Sequence, residues 1–334
     1  MRDSLGRDLN YLRVSLTDRC NLRCIYCMPP EGIEQLSHMD VLRNEEFLEV
    51  IKVAAGLGFS HIRLTGGEPL VRKGIVELVR DIKAIPGIDN VSLTTNGILL
   101  PKLAGPLREA GLDRINLSLD TLDADQYRFI TRCGSLDACL AGLEAALQAG
   151  FEPIKINAVA VRRLNQDFFA FARMSVERPL HMRFIEYMPV GHSGGVDGSG
   201  WGPEDVITCE EIRQHINTAA REAGVPELEP LSKEKQPLGF GPAAYWQFPG
   251  AKGTVGFISP LSNHFCSSCN RLRLTADGKL RPCLFSDREY DVRDAVRAGS
   301  DAGIREAFFQ AVGNKPAEHH DEQGTDRRMS QIGG

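Results

Sequence analysis

The sequence predicts an α/β fold: an open, incomplete (βα)6 barrel of the TIM type, followed by a smaller α+β region. Three observations predict it. Apolar, β-branched segments alternate with amphipathic segments through the first 190 residues, and such alternation implies a parallel sheet. That stretch holds six βα units at roughly 30 residues each, whereas a closed eight-unit barrel needs about 250. Then Gly191, Gly194, Gly195, Gly198, Gly200 and Gly202 crowd one stretch, which marks a loop between two parts. The domain reading is 1–190 for the barrel, 191–314 for the C-terminal region and 315–334 for a tail.

Strands are expected at 11–16, 61–65, 90–95, 114–119, 153–160 and 180–187, with helices near 44–57, 73–84, 101–110, 135–149 and 165–176. Gly58, Gly87, Gly111 and Gly150 supply helix stops. Beyond the break, 205–223 reads as a helix, 243–248 and 253–258 as strands, and 291–298 and 301–312 as helices. Residues 271–284 read as a hairpin turning at Ala276-Asp277-Gly278. From Lys315 the chain is polar and, taken alone, a mobile end.

Composition narrows the function. A hydrophobic content of 42% with 25% charged residues is ordinary for a globular chain with a sizeable core. The net charge of −5 offers no global field for a nucleic-acid polymer, so any phosphate site must be a local basic cluster. No segment reaches the roughly 18–20 apolar residues of a membrane span, and the first residues lack a signal peptide's apolar core. Six of the nine cysteines fall in two tight triplets, which argues for metal binding and reduced thiols in a cytoplasmic setting. Cys133, Cys139 and Cys209 lie outside the triplets and read as incidental small residues.

The first triplet, Cys20, Cys24 and Cys27, follows the first expected strand at C-x3-C-x2-C spacing. Structural zinc takes four ligands and no further Cys or His stands close by. Three thiolates suit an iron–sulfur cube with one iron left open. Other metal sites and plain buried cysteines are the alternatives. The second triplet, Cys266, Cys269 and Cys283, flanks the expected hairpin, whose fold brings its ends together. A second iron–sulfur cluster fits it; zinc with His264 as fourth ligand is the alternative. Arg271 and Arg273 alternate along that hairpin and share a face, as an anionic ligand would require.

Distinctive residues recur at the strand ends: Thr65-Gly66-Gly67-Glu68-Pro69, Thr94-Thr95-Asn96-Gly97, Ser118-Leu119-Asp120, Lys155 with Asn157, and Glu186-Tyr187-Met188. Carboxyl ends of parallel strands share one rim, where barrel active sites form. Arg13, Arg63 and Lys155 fall within expected strands, where basic groups are costly unless paired or facing a wet cavity. Arg72-Lys73 reads as a solvated helix start.

The C-x3-C-x2-C pattern with Tyr26 before its last Cys resembles the signature of radical SAM enzymes. With the second triplet, the C-x2-C-x-R-x-R of 266–273 and the terminal Gly-Gly, nearly the whole chain resembles the GTP 3′,8-cyclases of molybdenum-cofactor biosynthesis, the MoaA family. The resemblance implies two [4Fe-4S] clusters and S-adenosyl-L-methionine. It implies that Cys20, Cys24 and Cys27 hold the first cluster and Cys266, Cys269 and Cys283 the second. Tyr26, Gly67, Ser118 and Met188 match positions that hold S-adenosylmethionine. Arg13, Arg63, Thr94, Lys155, Arg271, Leu272 and Arg273 match positions that contact GTP, and Arg183 joins that polar interior. Gly333 and Gly334 match a tail that enters the site and assists catalysis.

The implied reaction is reductive cleavage of S-adenosylmethionine, removal of hydrogen from ribose C3′ of GTP, and closure of C3′ onto guanine C8, completed by an electron and a proton. The implied partners are GTP, an electron donor and cyclic pyranopterin monophosphate synthase, which takes the product; the chain would act as a monomer or homodimer. The competing reading is another radical SAM enzyme with an auxiliary cluster, such as a peptide-modifying maturase, although those carry more C-terminal cysteines.

Overall fold

The computed structural model describes residues 1–37, 39–190, 202–237, 239, 241–319, 325 and 327–333. In chain order its elements are β1 (Tyr11–Ser15), α1 (Asn44–Gly56), β2 (His61–Thr65), α2 (Ile75–Lys83), β3 (Asn90–Thr95), α3 (Leu100–Glu109), β4 (Arg114–Ser118), α4 (Ala124–Thr131), α5 (Leu136–Gln148), β5 (Ile154–Ala160), α6 (Phe168–Glu177) and β6 (Leu180–Glu186). The C-terminal region adds α7 (Cys209–Glu222), β7 (Glu229–Pro230), β8 (Ala244–Gln247), β9 (Thr254–Ile258), β10 (Arg271–Leu274), β11 (Lys279–Arg281), β12 (Tyr290–Asp291), α8 (Arg293–Arg297), α9 (Asp301–Gly313) and α10 (Met329–Ile332).

The six expected barrel strands form, in order and parallel, with helices between them. The C-terminal strands build no sheet of their own. β9 pairs parallel with β6 at one edge and β10 pairs parallel with β1 at the other, and antiparallel hairpins follow on each side. One sheet of twelve strands results, in the order β12-β11-β10-β1-β2-β3-β4-β5-β6-β9-β8-β7. Four elements escape the sequence reading: α4, the two-residue strands β7 and β12, and α10 in the tail. A two-residue strand has no periodicity to read, and α10 is one turn, too short to show a helical repeat. Among the described residues no helix is long and apolar enough to cross a membrane.

Period-2 alternation divides the sheet into two chemically different faces. Leu12 and Val14, Ile62 and Leu64, Val91 and Leu93, Ile115 and Leu117, Ile154 and Ile156, and Met182 and Phe184 point to the helices and pack into one apolar core. That core continues through Val255, Phe257, Leu272 and Leu274 of the C-terminal strands. The other face carries Arg13, Arg63, Ser92, Thr94, Asn116, Ser118, Lys155, Asn157, His181, Arg183 and Arg273. A face so polar is tolerated only around a wet or ligand-filled interior. The outer layer therefore holds the fold, and the inner face is left for chemistry.

Candidate active site

The loop carrying the first triplet is fixed from three directions. Gly67 N–H donates to the Thr17 carbonyl (2.7 Å) and Glu68 N–H to the Arg19 carbonyl (2.8 Å), which ties the Gly-Gly-Glu-Pro turn to the loop's start. A Cβ on Gly67 would overlap the Arg19 carbonyl, so this approach requires glycine. Arg23 Nη1 donates to the carbonyls of Cys20 (2.7 Å) and Leu22 (2.9 Å), and Arg132 Nη1 to those of Arg23 (2.6 Å) and Met28 (3.0 Å). Asn96 Nδ2 donates to Asn21 Oδ1 at 2.7 Å, linking the end of β3 to the residue after Cys20.

Glu68 anchors this network from within. It accepts from Thr95 Oγ1 (2.7 Å), from the N–H of Leu70 (3.0 Å) and from the N–H of Asn96 (2.8 Å). Burial pushes its carboxyl up to about 7, against these donors, which pull it down. Tyr26 Oη donates to Asp120 Oδ2 at 2.6 Å, and the Val159 N–H donates to Asp120 Oδ1 at 2.9 Å. Burial raises Asp120 to about 6.

A cavity of about 250 Å³ opens beside this loop. Tyr26, Ser118 and Met188 line it toward the first triplet; Arg13, Arg63, Arg273 and Thr94 line its floor; Cys266, Cys269, Cys283 and Arg271 line the opposite wall. Residues separated by most of the chain thus share one space. Gly67 and the first triplet are not among the lining residues; Gly67 supports the cysteine loop from behind. Lys155 is also outside the lining set, buried two strand positions from Asn157 and the Asn157–Arg183 pair. The Leu272 side chain is fully buried in the outer apolar layer, so any contact it makes in the cavity runs through its main chain. Gly334 lies outside the described residues.

The floor is strongly cationic. Arg273, Arg13 and Arg63 occupy one register row across β10, β1 and β2. Arg63 Nε donates to Ser92 Oγ (3.2 Å) and its guanidinium lies over Tyr11, 5.5 Å from the ring centroid. Arg271 lies over Phe265 at 5.3 Å, and Arg183 Nη2 donates to Asn116 Oδ1 at 2.7 Å. Burial lowers Arg273 and Arg183 to about 10 each, and burial with the charges of Arg183, Arg114 and Arg63 lowers Lys155 to about 7. Asp120 is the single carboxylate among the described lining residues, and Tyr26 engages it. A polyanion is what such a floor lacks.

Both triplets have the donor chemistry of iron–sulfur ligands: all six thiols are free. Burial pushes Cys20 up to about 11 and Cys27 up to about 12, and a bound metal would offset that burial by stabilising the thiolates. In the second triplet burial also raises the Cys269 thiol, but Lys315 and Arg271 outweigh it and bring Cys269 below its ordinary value. Among the described residues no three such side chains are gathered at ligating distance. Of the remaining cysteines, Cys139 and Cys209 are buried, while Cys133 is exposed with Sγ 3.5 Å from the Asn21 carbonyl.

Two readings of the sequence change here. Arg72 is no solvated helix start. It donates to Asn44 Oδ1 (2.6 Å) and to the carbonyls of Leu16 and Leu42 (2.7 Å for the latter), and lies over Phe47 at 4.9 Å. The tail is no free end either. Lys315 is buried and donates to the carbonyls of Arg271 (2.9 Å) and Pro282 (2.7 Å), while Ile332 packs with Val190 and Leu284. Asp120 and Asn157, singled out at the strand ends, do line the cavity, whereas Tyr11, Phe265, Lys315 and His319 escape sequence reasoning as lining residues. For Tyr11 the signal was available: it is two positions from Arg13, on the same strand face.

A parallel open barrel whose first strand leads into a C-x3-C-x2-C loop at the rim defines a radical SAM protein. A model of the radical SAM superfamily matches residues 14–174, and one described as Molybdenum Cofactor Synthesis C matches 180–321. Among solved structures, Streptococcus suis SuiB bound to S-adenosylmethionine superposes with a TM-score of 0.60 at 13% identity, covering 91% of this chain and 68% of that one. The enzyme anSMEcpe with bound AdoMet gives a TM-score of 0.59 at 16% identity, covering 95% and 80%. At such identities the likeness is one of fold. Sequence relatives go further: a GTP 3′,8-cyclase of Moorella thermoacetica is 51% identical and one of Pelotomaculum thermopropionicum is 50% identical, each matched over 100% of both chains. The chain belongs to the GTP 3′,8-cyclase family.

Proposed function

We propose that this chain cyclises GTP in the cavity between the two cysteine triplets, as a radical SAM enzyme of molybdenum-cofactor biosynthesis. Cys20, Cys24 and Cys27 hold the cluster that binds S-adenosylmethionine, and Cys266, Cys269 and Cys283 hold a second cluster on the substrate's side. The observation that carries the reading is the Arg273–Arg13–Arg63 row on the cavity floor, facing a space with a single engaged carboxylate. Three guanidinium groups on adjacent strands suit a triphosphate.

Held by Cys20, Cys24 and Cys27, the first cluster would pass one electron from an external donor to S-adenosylmethionine, and its reductive cleavage would supply the chemistry that removes hydrogen from ribose C3′. The chain's own share is placement and exclusion of water. Tyr26, held by Asp120, and Ser118 and Met188 border the cofactor's end of the cavity. Arg13, Arg63, Arg271 and Arg273 fix the phosphates, with Thr94 beside them and Lys155 behind the wall. GTP lies with its ribose toward the first triplet and its base toward the second, so C3′ and C8 are held in one strained approach. Near its end the tail rests against Ser15 and Thr65 through Gly333. Nine free thiols suit a reducing cytoplasm with an external electron donor.

Anaerobic incubation with reductant, S-adenosylmethionine and GTP tests the proposal. The expected products are 5′-deoxyadenosine and 3′,8-cyclo-7,8-dihydroguanosine 5′-triphosphate, from protein holding about eight irons as two four-iron cubes imply. Cys283→Ser should keep about four irons and S-adenosylmethionine cleavage but lose the cyclic product. Cleavage indifferent to GTP in the unaltered chain would point instead to a different substrate, such as a peptide.

A further inference from the structure

We infer that His319 is a positioning residue of the second iron–sulfur site, donating its Nδ1–H to the sulfur of Cys266. The inference rests on reading Cys266, Cys269 and Cys283 as the ligands of that site. His319 lies in the tail, far in sequence from the hairpin, yet its Nδ1 stands 3.5 Å from Cys266 Sγ. It is buried, at 7% exposure, and lines the cavity. A thiolate bound to iron carries no proton and can only accept, so the ring nitrogen facing it must be the N–H form.

The ring is held in that orientation on two sides. Phe285 lies against it, 5.0 Å between centroids with the planes 32° apart, and His264 meets it edge-on at 5.6 Å and 81°. His264 is itself 3.6 Å from Glu318, the residue before His319. The main chain leading to the ring is fixed as firmly. One buried guanidinium, Arg7, donates to the Cys266 carbonyl (2.9 Å) and also to the carbonyls of Lys315 (3.3 Å), Pro316 (2.8 Å) and Ala317 (3.3 Å). Asp3 neutralises it at 2.6 Å. The same side chain therefore grips both the cysteine and the segment that presents the histidine. Lys315 adds two more bonds into the hairpin, to the Arg271 and Pro282 carbonyls.

An N–H aimed at a ligand sulfur stabilises the more negative, reduced form of a cluster and raises its reduction potential. His319 thereby makes the potential of the second cluster depend on a docked tail. The donor in question belongs to a segment that carries no metal-ligand spacing of its own.

The test uses the full-length chain with Cys20, Cys24 and Cys27 all replaced by Ala, reconstituted anaerobically so that the second cluster gives the only signal. Its midpoint potential is followed by EPR, alone and combined with His319→Phe or His319→Asn. Phe keeps a ring against Phe285 but no donor; Asn keeps an N–H near the Nδ1 position. The expected result is a lower potential with Phe at undiminished iron, and recovery of most of the shift with Asn. An unchanged potential with Phe at full iron overturns the inference, as does loss of iron with both substitutions, which would make His319 a support for the ligand loop alone. Failure of the parent chain to take up iron at all would instead sink the reading of the second triplet as a cluster site.

Discussion

Arg273 reaches from the cavity floor to the end of the chain: its Nη1 donates to the carbonyls of Ile332 (3.2 Å) and Gly333. The guanidinium that shares a row with Arg13 and Arg63 therefore also anchors the tail. Gly333 has a φ of +70°, and a Cβ there would overlap Thr65 Oγ1 at the end of β2. Gly333 thus sits on the rim of the barrel, against the strand that leads into the Gly-Gly-Glu-Pro turn.

Gly333→Ala should undock the tail's end. Both the positive φ and the contact with Thr65 oppose a side chain. A loss of about 1.4 kcal/mol in the reacting arrangement lowers turnover about tenfold. Product formation should fall at least that far while iron content and GTP binding persist, and removal of Gly333 and Gly334 together should abolish cyclisation. Unimpaired turnover in the deletion would remove the tail from the mechanism.

Arg327 latches the tail upstream. It donates to Asp277 Oδ1 (3.1 Å) and Oδ2 (2.8 Å) and to Glu289 Oε2 (2.7 Å), while Arg281 engages Glu289, the Ser286 carbonyl and Thr325 Oγ1 (2.8 Å). Arg327→Ala leaves two carboxylates half-compensated, at a cost of about 3 kcal/mol for a partly buried pair. Limited proteolysis should then cut the tail before the barrel; equal resistance in variant and parent would argue against a latch. Burial raises the Asp277 carboxyl, but hydrogen bonds from Arg327 and Thr275 outweigh it and hold the group below its ordinary 3.8. The latch is therefore fully present above that pH and weakens as pH falls below it.

Lys155 predicts a pH dependence of substrate affinity. Burial and neighbouring cations lower its ammonium to about 7. A triphosphate nearby favours the charged form, so GTP binding above pH 7 takes up a proton and affinity declines as pH rises through that value. Calorimetry in buffers of different ionisation enthalpy should detect the uptake. Lys155→Met should weaken binding by about 2 kcal/mol, as expected for a charge acting over about 8 Å at an effective dielectric of about 20, and flatten the profile. An identical slope in the variant would assign the titration elsewhere.

Glu68→Gln places an amide N–H₂ where the carboxylate accepts from main-chain N–H groups of Leu70 and Asn96. One donor is left facing a donor, at about 1–3 kcal/mol. A lower melting temperature should appear together with poorer iron uptake at the first triplet, since Asn96 carries the Asn21 link. A thermal loss with normal iron uptake would confine Glu68 to the fold.

The sequence by itself determined the strand–helix alternation, the six parallel strands and the two cysteine triplets, because each is a local pattern: a period, a stop residue or a spacing. The family, too, was carried by short runs such as Thr65-Gly66-Gly67-Glu68-Pro69 and Cys266-Ser267-Ser268-Cys269. Even the inner and outer faces were legible in principle, since Arg13 and Leu12 alternate as any strand must. Only the tertiary structure decided that β9 and β10 extend the barrel's own sheet rather than a second one, because edge pairing depends on which backbone groups remain unpaired after folding. Only it brought Arg273 into line with Arg13 and set His319 against Cys266. Those are relationships between segments far apart in the chain, fixed by buried groups such as Arg7 that satisfy several distant carbonyls at once, and no local pattern in the chain records them.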